Sequence, residues 1–305
     1  MTKMKHIKGI VPVLLTPLLE DGSVDVKGLT RLVEFLLSKR IGGLFVLGTG
    51  GEDHNLTFEK RLEVAKIVAE VNKGRVPTIF GAGFYAVEDI MGFIKETSGL
   101  EIDSYHVMPY HPILSLNRLE WFYNYIADNS PKPIWLYSSI KWSRVLPPEF
   151  VERLKEHSNI VGIKTSTRNN EELSRFVKLK DDSFQIMTAV AKQTYACFTQ
   201  GVLSHTSSLA SCMPEILIKI YELVQEGKYD EALKTQQLLN NFYSDILPDA
   251  GKDNGFNIAE EKYVLSLRGI CNEYTTSYYR CLTSSEKDNI KALLSKYPII
   301  PLQQI

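Results

Sequence analysis

Lys164 is the one charged residue in the run Asn159-Ile160-Val161-Gly162-Ile163-Lys164-Thr165-Ser166-Thr167. The run reads as a buried strand that opens into a hydroxyl-rich loop. Burial disfavours an ammonium, because the charged form loses its hydration. A neutral amine adds to carbonyls, so a lysine held this way can form a Schiff base. The same segment also suits a lysine that ends a strand and reaches solvent, since lysine is rarely fully buried. The elements around it have to decide.

Short β-branched runs alternate with longer amphipathic stretches along the chain. Strands are predicted at 9–15, 43–47, 78–81, 104–108, 133–137, 161–164, 184–189 and 202–204. Helices are predicted between them at 25–40, 58–72, 87–99, 116–129, 148–157 and 170–179, with a shorter one at 192–200. In the first helix, Leu29, Leu32, Val33, Leu36 and Leu37 recur at i, i+3, i+4 spacing. Asn117 is the expected cap of the fourth helix, and Pro148 suits the first turn of the fifth. Strands that alternate with helices argue for parallel pairing, because each parallel crossover carries a helix. Closed into a ring, they form an α/β fold of the (β/α)8 TIM-barrel type. An open doubly wound sheet would want a dinucleotide loop after the first strand. Here that loop is Thr16-Pro17-Leu18-Leu19-Glu20-Asp21-Gly22, without GxGxxG. Residues 1–210 are assigned to the barrel. Residues 211–305 supply its last helix and a C-terminal helical extension, with helices at 214–225, 229–244, 260–268 and 285–296 and a loop at 249–257. No linker-like stretch divides them, so a single structural unit is expected.

A barrel of this kind carries its chemistry at the C-terminal ends of its strands. That rule selects Thr16, then Gly48-Thr49-Gly50-Gly51-Glu52, Pro109-Tyr110-His111, Tyr137-Ser138-Ser139, Lys164-Thr165-Ser166 and Ser204-His205-Thr206-Ser207-Ser208. The mouth then holds one lysine, two tyrosines, two histidines and many hydroxyls, with almost no carboxylate beyond Glu52. A metal hydrolase needs more His and Asp ligands than this. A glycosidase needs two opposed carboxylates. The inventory fits an amine nucleophile, a phenol to move protons, and a glycine-rich turn whose N–H groups can hold an anion. Each piece has a plainer reading: a tight turn for the glycines, a satisfied barrel hydroxyl for Tyr137, and a solvated loop position for His111.

Composition bounds the rest. The 305 residues are 44% hydrophobic and 23% charged, ordinary values for a globular protein. Net charge is −1 and the pI is near 6.6, and no basic patch suggests a nucleic-acid partner. Cys197, Cys212, Cys271 and Cys281 show no CxxC and read as reduced thiols. The basic N-terminus is followed by a short apolar stretch broken by Pro12 and Pro17, a poor signal peptide. No apolar run is long enough to span a bilayer. A cytoplasmic protein is the expectation.

From Gly9 to about Leu294 the chain resembles the dihydrodipicolinate synthase / N-acetylneuraminate lyase family of pyruvate-dependent class I aldolases. The matching pieces are Gly9-Ile10-Val11-Pro12-Val13-Leu14-Leu15-Thr16-Pro17, Asp21-Gly22-Ser23-Val24-Asp25, Gly48-Thr49-Gly50-Gly51-Glu52 with Leu56-Thr57 and Glu59-Lys60-Arg61, Pro109-Tyr110, Tyr137, and Gly162-Ile163-Lys164. Their order and spacing are specific together. The resemblance implies that Lys164 forms an imine with pyruvate or another 2-keto acid and that no metal or organic cofactor is needed. It implies that Thr49 and the backbone of Gly50, within the loop of Gly48 and Gly51, bind the carboxylate, and that Tyr137 shuttles protons. Thr16, Ser166 and Ser204 are further expected substrate contacts, and Tyr110 and His111 a possible relay. The resemblance also implies a homo-oligomer, tetramer or dimer, with a residue beside the Pro-Tyr of strand four reaching a neighbouring site. A small keto acid is the expected partner, with no nucleic acid and no membrane.

Four departures from the family pattern bear on substrate. Gly50 replaces a second hydroxyl. Tyr110-His111 stands where synthases often carry Tyr-Tyr. Tyr137-Ser138-Ser139-Ile140 lacks the loop proline, with Arg144 off the synthases' spacing. Thr188-Ala189-Val190-Ala191-Lys192 replaces the sialic-acid lyases' glycine and acidic pair. These point to a lyase acting on a 2-keto acid, with a 2-keto-3-deoxy sugar acid as a reasonable substrate class. The alternatives are a dihydrodipicolinate synthase, a dehydratase using the same lysine, and an inactive barrel that only binds a keto acid or a protein.

Overall fold

The computed structural model describes residues 6–139, 141–246 and 258–297; the loop expected at 249–257 lies outside them. Eight strands are all parallel and ordered β1-β8-β7-β6-β5-β4-β3-β2. They are β1 (Gly9–Pro12), β2 (Leu44–Val46), β3 (Thr78–Gly81), β4 (Ser104–Val107), β5 (Ile134–Ser138), β6 (Ile160–Thr165), β7 (Gln185–Ala189) and β8 (Ser204–Ser207). A parallel bridge from Val13 to Phe45 joins β1 to β2 and closes the barrel. The outer ring is α1 (Val26–Leu37), α2 (Phe58–Asn72), α3 (Val87–Thr97), α4 (Leu116–Asn129), α5 (Pro148–Lys155), α6 (Asn170–Lys178), α7 (Thr194–Thr199) and, after the short α8 (Leu209–Cys212), α9 (Pro214–Gln225) packed on β1. Beyond it come α10 (Tyr229–Ile246), α11 (Ala259–Leu267) and α12 (Ser284–Leu294).

Strand alternation sorts the core into two layers. Ile10, Val46, Phe80, Leu136 and Ile163 face the helices. Val11, Phe45, Ile79, Trp135, Tyr137 and Met187 fill the barrel interior. Gly162 shares the interior face with Lys164, and a Cβ at Gly162 would sit 2.6 Å from the Trp135 ring. The glycine makes room for the indole, and the next inward position lifts Lys164 above it.

Two differences from the sequence expectation have a clear physical reason. The cap of α4 is Ser115, whose hydroxyl accepts from Arg118 N at 3.2 Å, rather than Asn117. Ser115 is the last extended residue (ψ 158°), so Asn117 already lies in the first turn. Strand β8 begins at Ser204, where the sequence expectation had it end. Its polar residues are stable there because His205 meets Thr188 and Thr194 in the helix layer, at 2.9 and 3.2 Å. That shift moves Ser204 down to the level of Met187 and Gly9, below the mouth.

The extension is fastened to the barrel by a buried ion pair. Glu52, in a left-handed conformation (φ +61°), pairs with Lys262 of α11, and both side chains are fully buried. The second Glu52 oxygen accepts from Thr276 N at 2.7 Å and from its hydroxyl at 2.8 Å, while Lys262 Nζ donates to Tyr274 O at 2.7 Å. Burial lowers the Lys262 pKa and Glu52 opposes that shift. Removing one member of such a pair strands the other charge in a dry site, at about 3–5 kcal/mol. Lys262→Met is therefore expected to lose roughly that much stability in equilibrium urea unfolding; a loss under about 1 kcal/mol would show that the pair does not fasten the extension.

Candidate active site

Register brings the chemistry together. Tyr137 of β5 pairs directly with Lys164 of β6. Both face the interior and both are buried, at 2% and 6% exposure, although lysine is rarely buried to this degree. Lys164 Nζ donates to the Tyr137 hydroxyl at 2.7 Å and lies 3.9 Å from the ring centroid. The Thr49 hydroxyl stands 3.5 Å from the Tyr137 hydroxyl. Tyr123 of α4 steadies this strand from outside, donating to Val107 O at 3.2 Å and Tyr137 O at 3.4 Å.

These groups open on a cavity of about 150 Å³ lined by Val13, Phe45, Thr49, Gly50, Tyr137, Lys164, Ala189, Val190, Ala191, Thr206, Ser207, Ser208 and Tyr243. Lys164 is the single charged side chain in that lining. The Thr206 hydroxyl is buried with no hydrogen-bond partner among the described residues. Val190, a β-branched residue, has φ +109°, a conformation that costs on the order of 1–3 kcal/mol and recurs at functional sites. An amine, a phenol within proton-transfer distance and several hydroxyls around one small cavity can add to a carbonyl and move the protons that addition requires.

The other expected site residues are placed as follows. Thr16 donates to Gly51 O at 2.7 Å, bracing the loop from behind. Gly48 and Gly51 are glycines for close packing: a Cβ would meet the Phe45 ring at 2.9 Å and Leu14 O at 2.7 Å respectively. Ser166 is half-buried, its hydroxyl 3.5 Å from Ser138 O. Ser204 is fully buried, with no partner for its hydroxyl among the described residues. None of these five lines the cavity. Tyr110 donates to buried Asp53 at 2.6 Å, and burial together with Asp53 pushes its hydroxyl pKa well up. His111 bonds Tyr85 O at 2.9 Å. Neither touches the cavity.

Two expectations about the mouth need correcting. His205 is not there: it faces the helix layer, where burial lowers its pKa to about 3 and keeps it neutral. Glu52 turns away to Lys262. A histidine the sequence reading passed over, His106, lies inside the barrel, stacked on Phe45 at 4.0 Å and neutral because burial lowers its pKa to about 3. Thr206, Ser207 and Ser208 take the place expected for Ser204, a consequence of the shift in β8. Tyr243 of α10 was also missed, and no local signal in an amphipathic helix announces that one tyrosine reaches a distant strand end. Among the described residues no cluster of His, Cys, Asp and Glu has the makings of a metal site, and all four cysteines are free thiols.

A (β/α)8 barrel with a buried lysine bonded to a phenol at its strand ends defines an enzyme of the class I lyase type. The model of the dihydrodipicolinate synthetase family matches residues 6–297. The chain belongs to that family. The 4-hydroxy-tetrahydrodipicolinate synthase of Persephonella marina is 26% identical over 299 residues, covering 96% of this chain and 99% of the relative. Dihydrodipicolinate synthase from Bacteroides thetaiotaomicron superposes with a TM-score of 0.90 at 24% identity, covering 96% of this chain and 100% of that one. N-acetylneuraminate lyase from Mycoplasma synoviae superposes with a TM-score of 0.85 at 23% identity, covering 95% and 98%. The chain therefore sits among pyruvate-dependent lyases at low identity, as a divergent member.

Tyr137→Phe removes the phenol oxygen and leaves the ring. General acid–base assistance contributes about 10²–10⁴-fold, so single-turnover loading of pyruvate onto Lys164 is expected to slow by that order with the fold intact by circular dichroism. Loading at the wild-type rate would remove Tyr137 from the chemistry.

Proposed function

We propose that this enzyme cleaves or forms a 2-keto acid through an imine on Lys164, with pyruvate as one partner and a 2-keto-3-deoxy sugar acid as the substrate class. The amine adds to the keto carbon to give a carbinolamine. Proton transfer through the Tyr137 hydroxyl lets water leave. The hydroxyl two carbons from the iminium then gives up its proton and its carbon departs as an aldehyde. The electron pair of the broken carbon–carbon bond passes into the iminium to give an enamine, and the enamine takes a proton on carbon. Hydrolysis then frees pyruvate and returns the amine. Thr49 and the backbone of Gly50 hold the carboxylate. The imine carries the electrons, so this reading calls for no metal or organic cofactor.

The observation that carries this reading is the 2.7 Å amine–phenol contact inside a cavity whose one charged group is that amine. The cavity volume supports a small acid: about 150 Å³ is small beside the ~300–1,000 Å³ of sites for drug-sized ligands. The rest of the substrate then lies at the mouth, near Tyr243 and Lys192, whose ammonium is 4.8 Å from that ring. A synthase joining pyruvate to an aldehyde is the second reading, favoured by the name of the curated relative at 26% identity. We further infer a cytoplasmic homo-oligomer, supported by the family resemblance and by exposed Tyr85 and Ile113 near His111. Among the described residues no helix is long and apolar enough to cross a membrane.

A panel of 2-keto-3-deoxy acids assayed for pyruvate release tests the leading reading, with pyruvate consumption in the presence of aldehydes as the second arm. Release by the wild type and none by Lys164→Met is the expected result. Consumption without release selects the synthase reading. Equal activity in Lys164→Met would contradict both.

A further inference from the structure

We propose that Ser208 is a substrate-binding residue that donates a hydrogen bond to the keto-acid carboxylate, and that Glu261, held behind it, is the positioning residue that turns the Ser208 hydroxyl toward the cavity. This deepens the keto-acid reading above and rests on it.

Space is the first argument. Gly50 lines the cavity beside Thr49 without a side chain. A Cβ at Gly50 would sit 2.7 Å from Ser208 Cβ and 3.1 Å from Val13 Cγ1. The wall next to Thr49 is therefore completed by Ser208, which follows the last strand of the barrel. Any side chain at position 50 would collide with it. The hydroxyl that this loop lacks is replaced across the barrel mouth.

Hydrogen bonding is the second argument. Ser208 Oγ lies 3.0 Å from Glu261 Oε1. Glu261 is 6% exposed, and its Oε2 is buried without a hydrogen-bond partner among the described residues. Its helix, α11, packs on α8. Facing it are Cys212 of α8 and Tyr243 of α10, with Glu260 and Lys262 as its neighbours on α11. Lys262 is engaged by Glu52, and Arg268, which bonds Cys212 O, is bound to Glu215 at 2.7 Å. Burial, with a smaller push from Glu260 and against the Ser208 bond, raises the Glu261 carboxyl to about 8. Glu261 is thus a neutral acid at pH 7.

The two protonation states aim Ser208 in opposite directions. A neutral acid donates its O–H to Ser208 Oγ, and the serine hydrogen is free to point at an anion in the cavity. An ionised Glu261 only accepts, so Ser208 must donate to it. The cavity then meets serine lone pairs and a negative charge one hydroxyl away. Keto-acid binding therefore favours the protonated state, and affinity falls as pH rises through the Glu261 pKa.

The test measures pyruvate dissociation constants from pH 6 to 9.5 for the wild type, Glu261→Gln and Ser208→Ala, each checked for folding by circular dichroism. The glutamine amide donates to Ser208 at every pH, so the variant lacks the proton switch but keeps the shape. Ionisations common to both proteins cancel in their ratio. The ratio of wild-type to Glu261→Gln constants is expected to be flat below about pH 8 and to climb about tenfold per pH unit above it. Ser208→Ala is expected to bind weakly at pH 7 and to lose the same step. A ratio that stays flat across the range, or pyruvate binding by Ser208→Ala equal to the wild type, overturns the relay while leaving the imine chemistry standing. Borohydride trapping run alongside separates the two levels: no adduct in the wild type at any pH overturns the parent reading and the relay with it.

Discussion

The register between β5 and β6 is the constraint on which the site depends. Parallel pairing sets Tyr137 beside Lys164, and alternation points both inward. A slip of β6 by one residue would turn Lys164 toward the helices and leave Tyr137 alone inside. Contacts on two sides hold β5 in place. Inside, Gly162 admits the Trp135 ring; outside, Tyr123 bonds the carbonyls of Val107 and Tyr137. The 2.7 Å contact between amine and phenol thus follows from backbone geometry rather than from two flexible side chains finding each other. Such preorganisation leaves little to rearrange as charge develops.

The C-terminal third takes part in the site. Lys262 buries its charge against Glu52, the residue that ends the glycine-rich turn, and so fixes Thr49 and Gly50 against the barrel. Tyr243 and Ser208 complete the cavity from the other side, and Glu261 stands behind Ser208. Three consecutive residues, Glu260, Glu261 and Lys262, are buried charged types on one short helix. Charges are rarely buried without partners, and the partners of Glu261 and Lys262 lie on the loops that bound the cavity.

Much of the fold was legible in the sequence because period and length are local signals. The strand–helix alternation and the helices 58–72, 116–129 and 214–225 follow from residue spacing. That Lys164, Tyr137, Thr49 and Gly50 line one cavity was legible because strand ends place them at the mouth. What stayed hidden depends on partners far away in the chain. The polar run Ser204-His205-Thr206-Ser207 reads as a loop until Thr188 and Thr194 are seen to satisfy His205. Thr16 reads as a mouth residue until its hydroxyl is found on Gly51 O. Glu261 stands between Glu260 and Lys262; three charged types in a row on a helix were the available signal, and its meaning is tertiary.

The central claim is that Lys164 is a nucleophile poised beside a phenol. Reducing a mixture of the protein and pyruvate with borohydride, then mapping the modified peptide by mass spectrometry, tests it most directly. The account predicts one pyruvyl adduct per chain, on Lys164. A folded protein with no adduct, or with the adduct on another lysine, would contradict it.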